Sequence, residues 1–391
     1  MFLLLRNAEV HAPEPLGRTD VLMAGERIVA MAPHIGELPD GCTCEAIDLG
    51  GRRLIPGLVD AHVHLGGGGG EAGPHTRVPR CTAGTLARAG VTTCVGVLGT
   101  DGTTRTVADL VACVLGLRAE GLSAWCWTGN YEVPVRTLCG SIREDLVWID
   151  PIIGVGELAL SDHRSSQPTL DELLRIAADV HTAGMLANKA GVLHLHMGDG
   201  RRGLDLVRQA IERSELPASM FHPTHVNRNP GLLREAQALA REHGCTIDVT
   251  AFPDQDLGDA IAAHEAIAAC LDAGVPIERI TCSSDGGGCM PTFDADGRIV
   301  AMGVGQPSSL MVTLGRLLAF GLAMAPALMP FSSNVARLLR LPRKGRIAVG
   351  DDADVIALDD DGAVHCVIAR GQPWVRDGAS TRWGLFEKVM T

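Results

Sequence analysis

The sequence predicts an α/β fold: a (β/α)8 TIM-type barrel with a small β-sandwich domain formed from both termini. Between residues 55 and 342, eight short apolar runs alternate with helical stretches, which is the count of a (β/α)8 barrel. The first fifty residues and the tail instead resemble short strands separated by Gly and Pro, and neither segment has enough apolar surface to fold alone. We therefore expect residues 1–54 and 343–391 to form the small domain and residues 55–342 the barrel.

Strands are predicted where short apolar runs end at turn residues. In the small domain they are Phe2–Val10, Asp20–Met23, Arg27–Ala32, Cys44–Leu49, Arg346–Val349, Ala353–Leu358, Val364–Ala369 and Trp374–Val375. In the barrel they are Leu58–His64, Thr92–Leu98, Ala124–Thr128, Ile152–Glu157, Val192–Met197, Met220–Val226, Thr246–Ala251 and Arg279–Ser284. Apolar residues at i, i+3 and i+4 predict the helices Leu170–Ala183, Leu232–His243 and Asp259–Ala273. We expect a further helical stretch, Ala325–Leu341, to pack outside the barrel.

Composition and charge exclude several classes of protein. Hydrophobic residues make up 46% of the 391-residue chain, which allows a large core and argues against overall disorder. The net charge of -12 argues against a nucleic acid or an anionic membrane as partner. The N-terminus lacks the basic region of a signal peptide, and no uncharged run reaches the roughly 18–20 apolar residues of a membrane span. The twelve cysteines are scattered without a C-x-x-C pair, so we expect reduced thiols and a cytoplasmic protein.

Residues able to bind a metal ion gather at the C-terminal ends of the predicted barrel strands. They are His62, His64, Glu157, His196, His225 and Asp285. His62 and His64 form an H-x-H sequence, and the two-residue period of a strand points both imidazoles to one side. An H-x-H alone is equally compatible with two histidines bonded to backbone groups. The other ligands, at the end where barrel enzymes place their sites, favour a metal centre.

The remaining histidines are interpreted as structural. Those on predicted surface or small-domain segments include His11, His34, His243, His264 and His365. His194 alternates with a predicted ligand and His222 precedes one. We expect these two to pack beside the ligands or to support them.

The donor set predicts a reaction class. Imidazole and carboxylate ligands suit Zn²⁺ or another first-row divalent metal. A bound divalent metal lowers the pKa of its water from 15.7 to about 7, so hydroxide is available at neutral pH. Two metals would hold that hydroxide between them and polarise a carbonyl, while Asp285 would pass the proton to a leaving amine. The sequence therefore predicts metal-assisted hydrolysis of an amide-like bond.

Several longer motifs resemble a known family. They are Asp60–Leu65 with Gly66–Pro74, Gly99–Asp101, Thr128–Tyr131 with Val133-Pro134, Ser161–Ser165, His196–Asp199, Thr224–Asn229 and Ser283–Gly286. On these motifs the chain resembles the isoaspartyl dipeptidase (β-aspartyl dipeptidase) family of the amidohydrolase superfamily over nearly its full length. The resemblance implies a binuclear zinc barrel that hydrolyses β-aspartyl dipeptides by a metal-bound hydroxide, often assembled as a homo-octamer.

The resemblance also implies roles for individual residues. The metal ligands match His62, His64, His196, His225 and Asp285, the last of which also matches the proton shuttle. Glu71 matches the carboxylate that receives the free α-amino group of the substrate, and Tyr131, the only tyrosine, matches a hydroxyl that helps polarise the scissile carbonyl. Arg164 and Arg228 match the arginines that hold substrate carboxylates. Further substrate contacts match Gly69 and Thr100.

These implied roles make chemical sense, although each has a structural alternative. An isoaspartyl dipeptide carries one amino group and two carboxylates, so its site needs one anion and guanidinium groups facing it. Arg164 and Arg228 could instead form surface salt bridges, and Glu71, which follows five glycines, could lie in a flexible loop. Arg228 directly follows a predicted ligand strand, which favours a function in the site.

Two residues depart from the family pattern. The family bridges its metals with a carboxylated lysine on the fourth barrel strand, but the only lysines here are Lys189, Lys344 and Lys388, and none lies on that strand. The matching position is Glu157, whose shorter carboxylate could bridge two metals or could bond elsewhere and leave one tight metal site. Cys289 stands where the family has a serine that helps bind a substrate carboxylate, and a thiol is a poorer donor.

Two other functions stay open at the level of sequence. Glu157 is compatible with a different amidohydrolase, such as an N-acyl-amino-acid or amino-sugar deacylase, whose substrate would leave Glu71 without an ammonium partner. A non-catalytic barrel that persists as a binding or assembly protein is the other alternative. The intact set of histidines and Asp285 argues against it.

Overall fold

The computed structural model describes residues 2–253, 258–293 and 299–387. In chain order its strands are β1 (Phe2–His11), β2 (Pro15–Ala24), β3 (Arg27–Ala32), β4 (Cys44–Asp48), β5 (Arg53–Pro56), β6 (Leu58–Val63), β7 (Val91–Gly96), β8 (Ser123–Thr128), β9 (Ile152–Leu160), β10 (Val192–Met197), β11 (Phe221–Thr224), β12 (Ile247–Thr250), β13 (Ile280–Ser283), β14 (Cys289–Phe293), β15 (Ile299–Val304), β16 (Val355–Leu358), β17 (Val364–Ala369), β18 (Gln372–Arg376) and β19 (Ala379–Ser380). Its helices are α1 (Ala83–Arg88), α2 (Val107–Glu120), α3 (Ile142–Trp148), α4 (Leu170–Ala187), α5 (Asp205–Glu212), α6 (Pro230–His243), α7 (Ala263–Asp272), α8 (Ser309–Ala319), α9 (Met324–Leu328) and α10 (Ser333–Leu338). Not one of the described helices combines the length and the apolar character that crossing a membrane requires.

Strands from both ends of the chain form one nine-stranded sheet. Its order is β19-β18-β17-β16-β5-β1-β2-β3, and β4 pairs in parallel with the first half of β1. The C-terminal strands join the N-terminal ones where β16 runs antiparallel to β5. Residues of both parts, among them Leu5, Val21 and Ile368, pack in one buried cluster, so each segment buries apolar surface that it could not bury alone. The predicted small β-domain from both termini is confirmed, whereas its boundaries at residues 54 and 343 stay a prediction.

Eight parallel strands, β6 to β13, form the barrel. Strands β6 to β11 make a parallel sheet in consecutive order, and β12 pairs in parallel with β13. Backbone hydrogen bonds bridge the two remaining gaps: Val226 N–H donates to the Asp248 carbonyl at 3.2 Å, and His64 N–H to that of Gly286 at 2.8 Å. The strands are buried on both faces, as expected for a parallel sheet covered by helices. The predicted (β/α)8 barrel is confirmed.

Glycines on β9 make room for large rings inside the barrel. Trp127 of β8 stacks on His194 of β10 with ring centroids 5.0 Å apart and an interplanar angle of 12°. A Cβ atom at Gly156 would lie 2.7 Å from Cβ of His194, and one at Gly154 would lie 2.7 Å from the Trp127 ring. Because packed interiors do not accommodate such approaches, glycine is required at both positions on the strand that carries Glu157.

The start of α6 is specified locally by sequence. The Asn229 side chain accepts a hydrogen bond from the Leu232 N–H at 2.8 Å, and Pro230 occupies the first helical position. Both are favoured helix-start residues, since Asn satisfies an unpaired N–H and Pro has none to lose. This cap fixes the short loop before the helix, which carries Arg228.

One predicted strand is absent, one predicted helical stretch is interrupted, and several strands were not predicted. The segment Arg346–Val349 is not a strand: Gly345 and Gly350 flank it with φ of 73° and 94°, which breaks the extended chain at both ends. The stretch Ala325–Leu341 is not one helix, since a 3-10 turn containing Pro330 separates α9 from α10. Proline cannot continue an α-helical ladder because it lacks the N–H group. The antiparallel hairpin β14–β15, which follows the last barrel strand, had no counterpart in the prediction.

Candidate metal centre and substrate cleft

A cleft of about 900 Å³ opens at the C-terminal ends of the barrel strands. The sequence-predicted residues that line it are His64, Gly69, Glu71, Thr100, Tyr131, Glu157, Arg164, His196, His225, Arg228, Asp285 and Cys289. His62 is fully buried beneath it. The fold therefore brings every predicted site residue to one place, the end where barrel enzymes build their sites.

Glu157 lies at the centre of the polar residues at the base of the cleft. Its Oε1 is 3.4 Å from Nε2 of both His62 and His64. Its Oε2 is 3.0 Å from Nδ1 of His196 and 3.6 Å from Nε2 of His225. The two carboxylate oxygens thus face two separate pairs of imidazoles.

Asp285 adds a second carboxylate on the side of His62 and His64. Its Oδ1 lies 3.1 Å from Nε2 of His64 and 3.5 Å from Nε2 of His62. Potential ligand atoms form two sets, and within each set all the atoms lie within 4.8 Å of one another. The first set comes from His62, His64 and Asp285, and the second from His62, Glu157 and His225. His196 stands outside both sets, and its Nε2 lies 3.0 Å from Oδ2 of Asp162.

The donor set fits a divalent metal ion. His62 Nε2, Glu157 Oε1 and Asp285 Oδ1 are buried, converge on one region and have no hydrogen-bond partner among the described residues. A buried polar atom without a partner is costly, so three of them together indicate a ligand-binding position rather than a packing arrangement. Imidazole nitrogens and carboxylate oxygens are the ligands that Zn²⁺ and similar first-row ions take in proteins.

Both carboxyl groups of the centre are held in the ionised form. Burial opposes ionisation of Glu157, but the neighbouring imidazoles of His62, His196 and His225 hold its pKa well below the usual range. Burial likewise opposes ionisation of Asp285, yet the His64 imidazole 3.1 Å from its Oδ1 and the other nearby imidazoles lower its pKa to about 2. The anionic oxygens would attract a cation. Burial opposes protonation of His62, but the Glu157 and Asp285 carboxylates raise its pKa to about 9, so a metal ion would displace a proton from its imidazole on binding.

Two of the candidate ligands occupy the left-handed backbone region. His225 has φ of 61° and directly follows the last residue of β11. Asp285 has φ of 50° and lies just beyond the end of β13. This conformation is unfavourable for residues with a Cβ atom and is found where the surrounding structure imposes it, often at functional sites. The bend at each strand end turns the side chain into the cleft.

Tyr131 places its hydroxyl at the edge of the metal centre. The loop after β8 carries it, and its Oη lies 2.8 Å from Nδ1 of His196. Burial, reinforced by the nearby Glu157 carboxylate, raises the Tyr131 pKa well above its ordinary value. The hydroxyl therefore keeps its proton and can donate a hydrogen bond to an oxygen atom in the cleft.

Glu71 and Arg164 form a polar wall of the cleft. Glu71 Oε1 accepts a hydrogen bond from Thr100 Oγ1 at 3.1 Å and lies 3.5 Å from Nη1 of Arg164. Its Oε2 is buried and has no hydrogen-bond partner in the described part of the chain. Arg164 donates from Nε and Nη2 to Asp162 at 3.0 and 2.8 Å, which fixes the guanidinium and leaves its Nη1 side towards Glu71.

The glycine-rich loop before Glu71 is held by a residue that the sequence did not single out. Arg105, only 2% exposed, donates to the carbonyls of Gly68 and Gly69 at 2.7 and 3.0 Å. At Gly69, φ is 76° and a Cβ atom would lie 2.4 Å from the Thr76 carbonyl oxygen, so only glycine fits. Glu71 is therefore on a braced loop rather than a free one.

Arg228 and Cys289 complete the predicted contacts. Arg228 donates from Nε to the Met197 carbonyl at 3.0 Å, and its guanidinium carbon lies 6.0 Å from the centre of the Phe252 ring. Its Nη1 is 3.7 Å from the largely exposed Asp199. The Cys289 Sγ lies 3.8 Å from Sδ of Met302, and burial raises the Cys289 pKa to about 11. At neutral pH it is a thiol, a weak donor at most.

Asp162 was also missed as a site residue. Its carboxylate touches both Arg164 and His196, so it joins the polar wall of the cleft to the candidate metal ligands. The motif Ser161-Asp-His-Arg was noted, but nothing in the sequence distinguishes Asp162 from a surface acid. Its role depends on His196, which is 34 residues away.

Comparisons with known proteins agree with this geometry. The sequence profile of the amidohydrolase family matches residues 53–373. The crystal structure of a β-aspartyl dipeptidase from Fervidobacterium islandicum AW-1, in complex with the dipeptide β-Asp-Leu, superposes with a TM-score of 0.93, at 40% identity and 98% coverage of both chains. The dihydroorotase of Pelotomaculum thermopropionicum is 25% identical over 92% of this chain and 90% of that protein. A 63-residue stretch is 44% identical to the allantoinase of Streptomyces avermitilis and spans only 14% of that protein.

Proposed function

Because the chain belongs to the amidohydrolase family, a family of hydrolytic enzymes, we propose that it is a zinc-dependent hydrolase of β-aspartyl dipeptides. The observation that carries the proposal is the position of Glu157, whose two oxygens face separate histidine pairs. Above this centre the cleft presents Glu71, whose Oε2 has no hydrogen-bond partner among the described residues, and two guanidiniums, Arg164 and Arg228. That charge pattern is complementary to a substrate with one amino group and two carboxylates. The similarity to a structure that contains β-Asp-Leu supports the same substrate.

We assign two ions to the centre, with Zn²⁺ as the simplest choice. One would be held by His62, His64 and Asp285, the other by His196 and His225. Glu157 lies between the His62–His64 pair and the His196–His225 pair and would contribute one oxygen to each ion. When bound, a divalent metal activates water for attack and polarises the scissile carbonyl. Glutamate carries its charge without prior carboxylation, so assembly of this centre would not depend on carbon dioxide.

Asp285 and Tyr131 handle protons and charge at the reacting bond. Asp285 is ionised and its Oδ1 faces the centre without a hydrogen-bond partner among the described residues. It can therefore accept a proton from the attacking water and deliver it to the departing amine. The Tyr131 hydroxyl keeps its proton and can donate to the carbonyl oxygen as negative charge develops there.

Substrate binding is assigned to the wall of the cleft. The Glu71 Oε2, buried and without a hydrogen-bond partner among the described residues, would receive the ammonium group of the substrate. Thr100 and Gly69 shape the same pocket. Arg228 and the Nη1 side of Arg164 are placed to hold carboxylates, for which the planar guanidinium is well suited. Cys289 lines this region and is expected to add shape rather than a strong hydrogen bond.

The decisive experiment combines metal analysis with a substrate pair. We expect about two metal ions per chain and hydrolysis of β-Asp-Leu, with α-Asp-Leu left intact because its scissile carbonyl lies at a different distance from the amino group. Extensive chelation should abolish activity, and Zn²⁺ should restore it. Protein with one ion or fewer that leaves β-Asp-Leu untouched would contradict the proposal and favour a deacylase.

We further propose that the enzyme works in the cytoplasm as a homo-oligomer. The octamer implied by the sequence resemblance supports the second part of this proposal. Size-exclusion chromatography with light scattering measures the mass directly. A monomer of 41.1 kDa at micromolar concentration would contradict it.

A further inference from the structure

Beneath the metal centre, four buried side chains form a continuous hydrogen-bonded chain to one of the candidate ligands. His62 Nδ1 lies 2.8 Å from Nε2 of His194, and His194 Nδ1 lies 2.9 Å from Nδ1 of His222. His222 Nε2 lies 2.9 Å from Oγ1 of Thr281, which bonds to Oδ1 of Asp248 at 2.6 Å. All five residues have no exposed surface. The catalytic roles proposed above use only the first of them, His62.

Asp248 sets the direction of these bonds. An ionised carboxylate only accepts hydrogen bonds, and three hydroxyls surround this one: Thr281 on Oδ1, with Ser283 and Thr224 on Oδ2 at 2.5 and 2.7 Å. The single hydroxyl proton of Thr281 is committed to Asp248. Towards His222, Thr281 can therefore only accept, so Nε2 of His222 must carry a proton.

The constraint passes from ring to ring because each neutral imidazole has one donor and one acceptor. With its proton on Nε2, His222 must accept at Nδ1, and His194 must donate from Nδ1. His194 then accepts at Nε2, so His62 must donate from Nδ1. The remaining nitrogen of His62, Nε2, is the atom that faces Glu157 and Asp285.

We propose that Asp248, Thr281, His222 and His194 act as positioning residues that make Nδ1 of His62 a hydrogen-bond donor and so leave Nε2 as the nitrogen that a metal ion would bind. The inference rests on the proposed metal centre. The proposal explains why hydrogen-bonded polar side chains occupy a buried region that apolar side chains could fill. Partners that orient a ligating histidine generally change metal affinity about 10–100-fold when they are lost.

Packing fixes the orientation of the histidine rings. Trp127 stacks on His194 and donates from Nε1 to the Ala61 carbonyl at 3.1 Å, so neither ring is free to rotate. Burial lowers the His222 pKa to about 4, against the opposing effect of Asp248. His222 is accordingly neutral at pH 7, which the one-donor, one-acceptor argument requires.

The test removes the hydroxyl that starts the chain. Thr281→Val keeps the approximate side-chain shape but leaves the His222 Nε2–H without its acceptor. We expect Zn²⁺ affinity, measured on purified protein by competition with a chromophoric chelator, to fall about 10-fold or more. Thr281→Ser keeps the hydroxyl and should bind Zn²⁺ as the parent does. No dipeptide is needed for this measurement.

Ser283→Ala is the matched control, because Ser283 bonds to the same carboxylate but lies outside the chain. We expect it to lower stability while Zn²⁺ affinity stays close to that of the parent. Equal Zn²⁺ affinity in Thr281→Val and the parent, or equal losses in Thr281→Val and Ser283→Ala, would overturn the proposal. A parent protein that binds no Zn²⁺ would instead refute the proposed metal centre itself.

A second measurement applies if Thr281→Val fails to fold. In the parent protein with ¹⁵N-labelled histidine, ring-nitrogen chemical shifts report each tautomer. We expect the proton on Nε2 of His222 and on Nδ1 of His194. The reverse assignment at either residue would show that the chain does not direct the proton on His62.

Discussion

Two buried acidic residues of the same barrel differ in their hydrogen-bond partners. Asp248 sits below the strand ends, and both of its oxygens accept hydrogen bonds from hydroxyl groups. Glu157 sits at the base of the cleft, where its Oε1 has no hydrogen-bond partner among the described residues, and unpaired nitrogen and oxygen atoms of His62 and Asp285 face the same region. Both residues are completely buried, so burial alone does not distinguish them.

The difference teaches how to tell a supporting network from a binding site. A satisfied polar network contributes to stability and geometry, because each buried donor has its acceptor. A cluster with unpaired converging atoms is costly to the empty protein and gains its partners from a ligand. Changes in the upper cluster around Glu157 should therefore act mainly on metal binding and activity. Changes in the lower cluster around Asp248 should lower stability, together with metal affinity where they break the chain of hydrogen bonds to His62.

The largest effect is expected for Glu157→Gln. The amide removes the charge between the two histidine pairs while keeping the shape, so the second metal ion should be lost. Activity on β-Asp-Leu should fall more than about 100-fold, since a catalytic metal supplies several kcal/mol of transition-state stabilisation. Metal content by atomic emission and initial rates measure both.

The same variant tests the comparison through stability. Metal-free Glu157→Gln should lose some stability, because the imidazoles that lower the Glu157 pKa also stabilise its charge, but the loss should be smaller than that of Asp248→Asn, whose parent carboxylate has a hydrogen-bond donor on each oxygen. A large loss of stability in the metal-free state would mean that Glu157 supports the fold as Asp248 does.

The second effect concerns another unpaired atom of the cleft, Oε2 of Glu71. Glu71→Gln should lower kcat/KM for β-Asp-Leu about 10–100-fold, because a hydrogen bond to a charged group contributes about 1.5–3 kcal/mol. Steady-state kinetics measure it, with metal content expected to stay at the parent level. Full activity in this variant would favour a deacylase, whose substrate lacks the free amine.

Much of this arrangement could be predicted from the sequence because it depends on local patterns. The H-x-H of His62 and His64 ends a strand, and parallel strands in a barrel end on the same side. The same rule predicted the position of Glu157, which stands on the fourth barrel strand where the family has a carboxylated lysine. Strand edges were less well predicted: the fourth barrel strand continues to Leu160, and β11 is only Phe221–Thr224.

The supporting contacts could not be predicted, because they join residues far apart in the chain. His62 and His194 are 132 residues apart, and Arg105 reaches carbonyls 36 and 37 residues away. A histidine inside an apolar strand has the same local sequence whether it packs, binds metal or relays a hydrogen bond. Only the closed barrel decides which groups meet.

The third effect is a stability loss in the lower cluster. Asp248→Asn replaces one acceptor oxygen with a donor NH2 that faces hydroxyl groups already committed as donors. We expect the free energy of unfolding to fall by about 1–3 kcal/mol, measured by denaturant unfolding of the metal-free protein. A variant as stable as the parent would remove the distinction between the two clusters.

The smallest effects come from two glycines that differ in surroundings. Gly156→Ala would press a methyl group against His194, 2.7 Å from its Cβ, and should cost about 1–3 kcal/mol of unfolding free energy. Gly116→Ala is the control: nothing lies within 4 Å of its Cβ position on α2, so alanine should stabilise the helix by up to about 1 kcal/mol. Thermal unfolding of the two metal-free variants measures the expected loss of stability in Gly156→Ala and the expected gain in Gly116→Ala. If Gly156→Ala were as stable as Gly116→Ala, the interior around His194 would be loose, and its ring could not hold a fixed hydrogen-bonding direction.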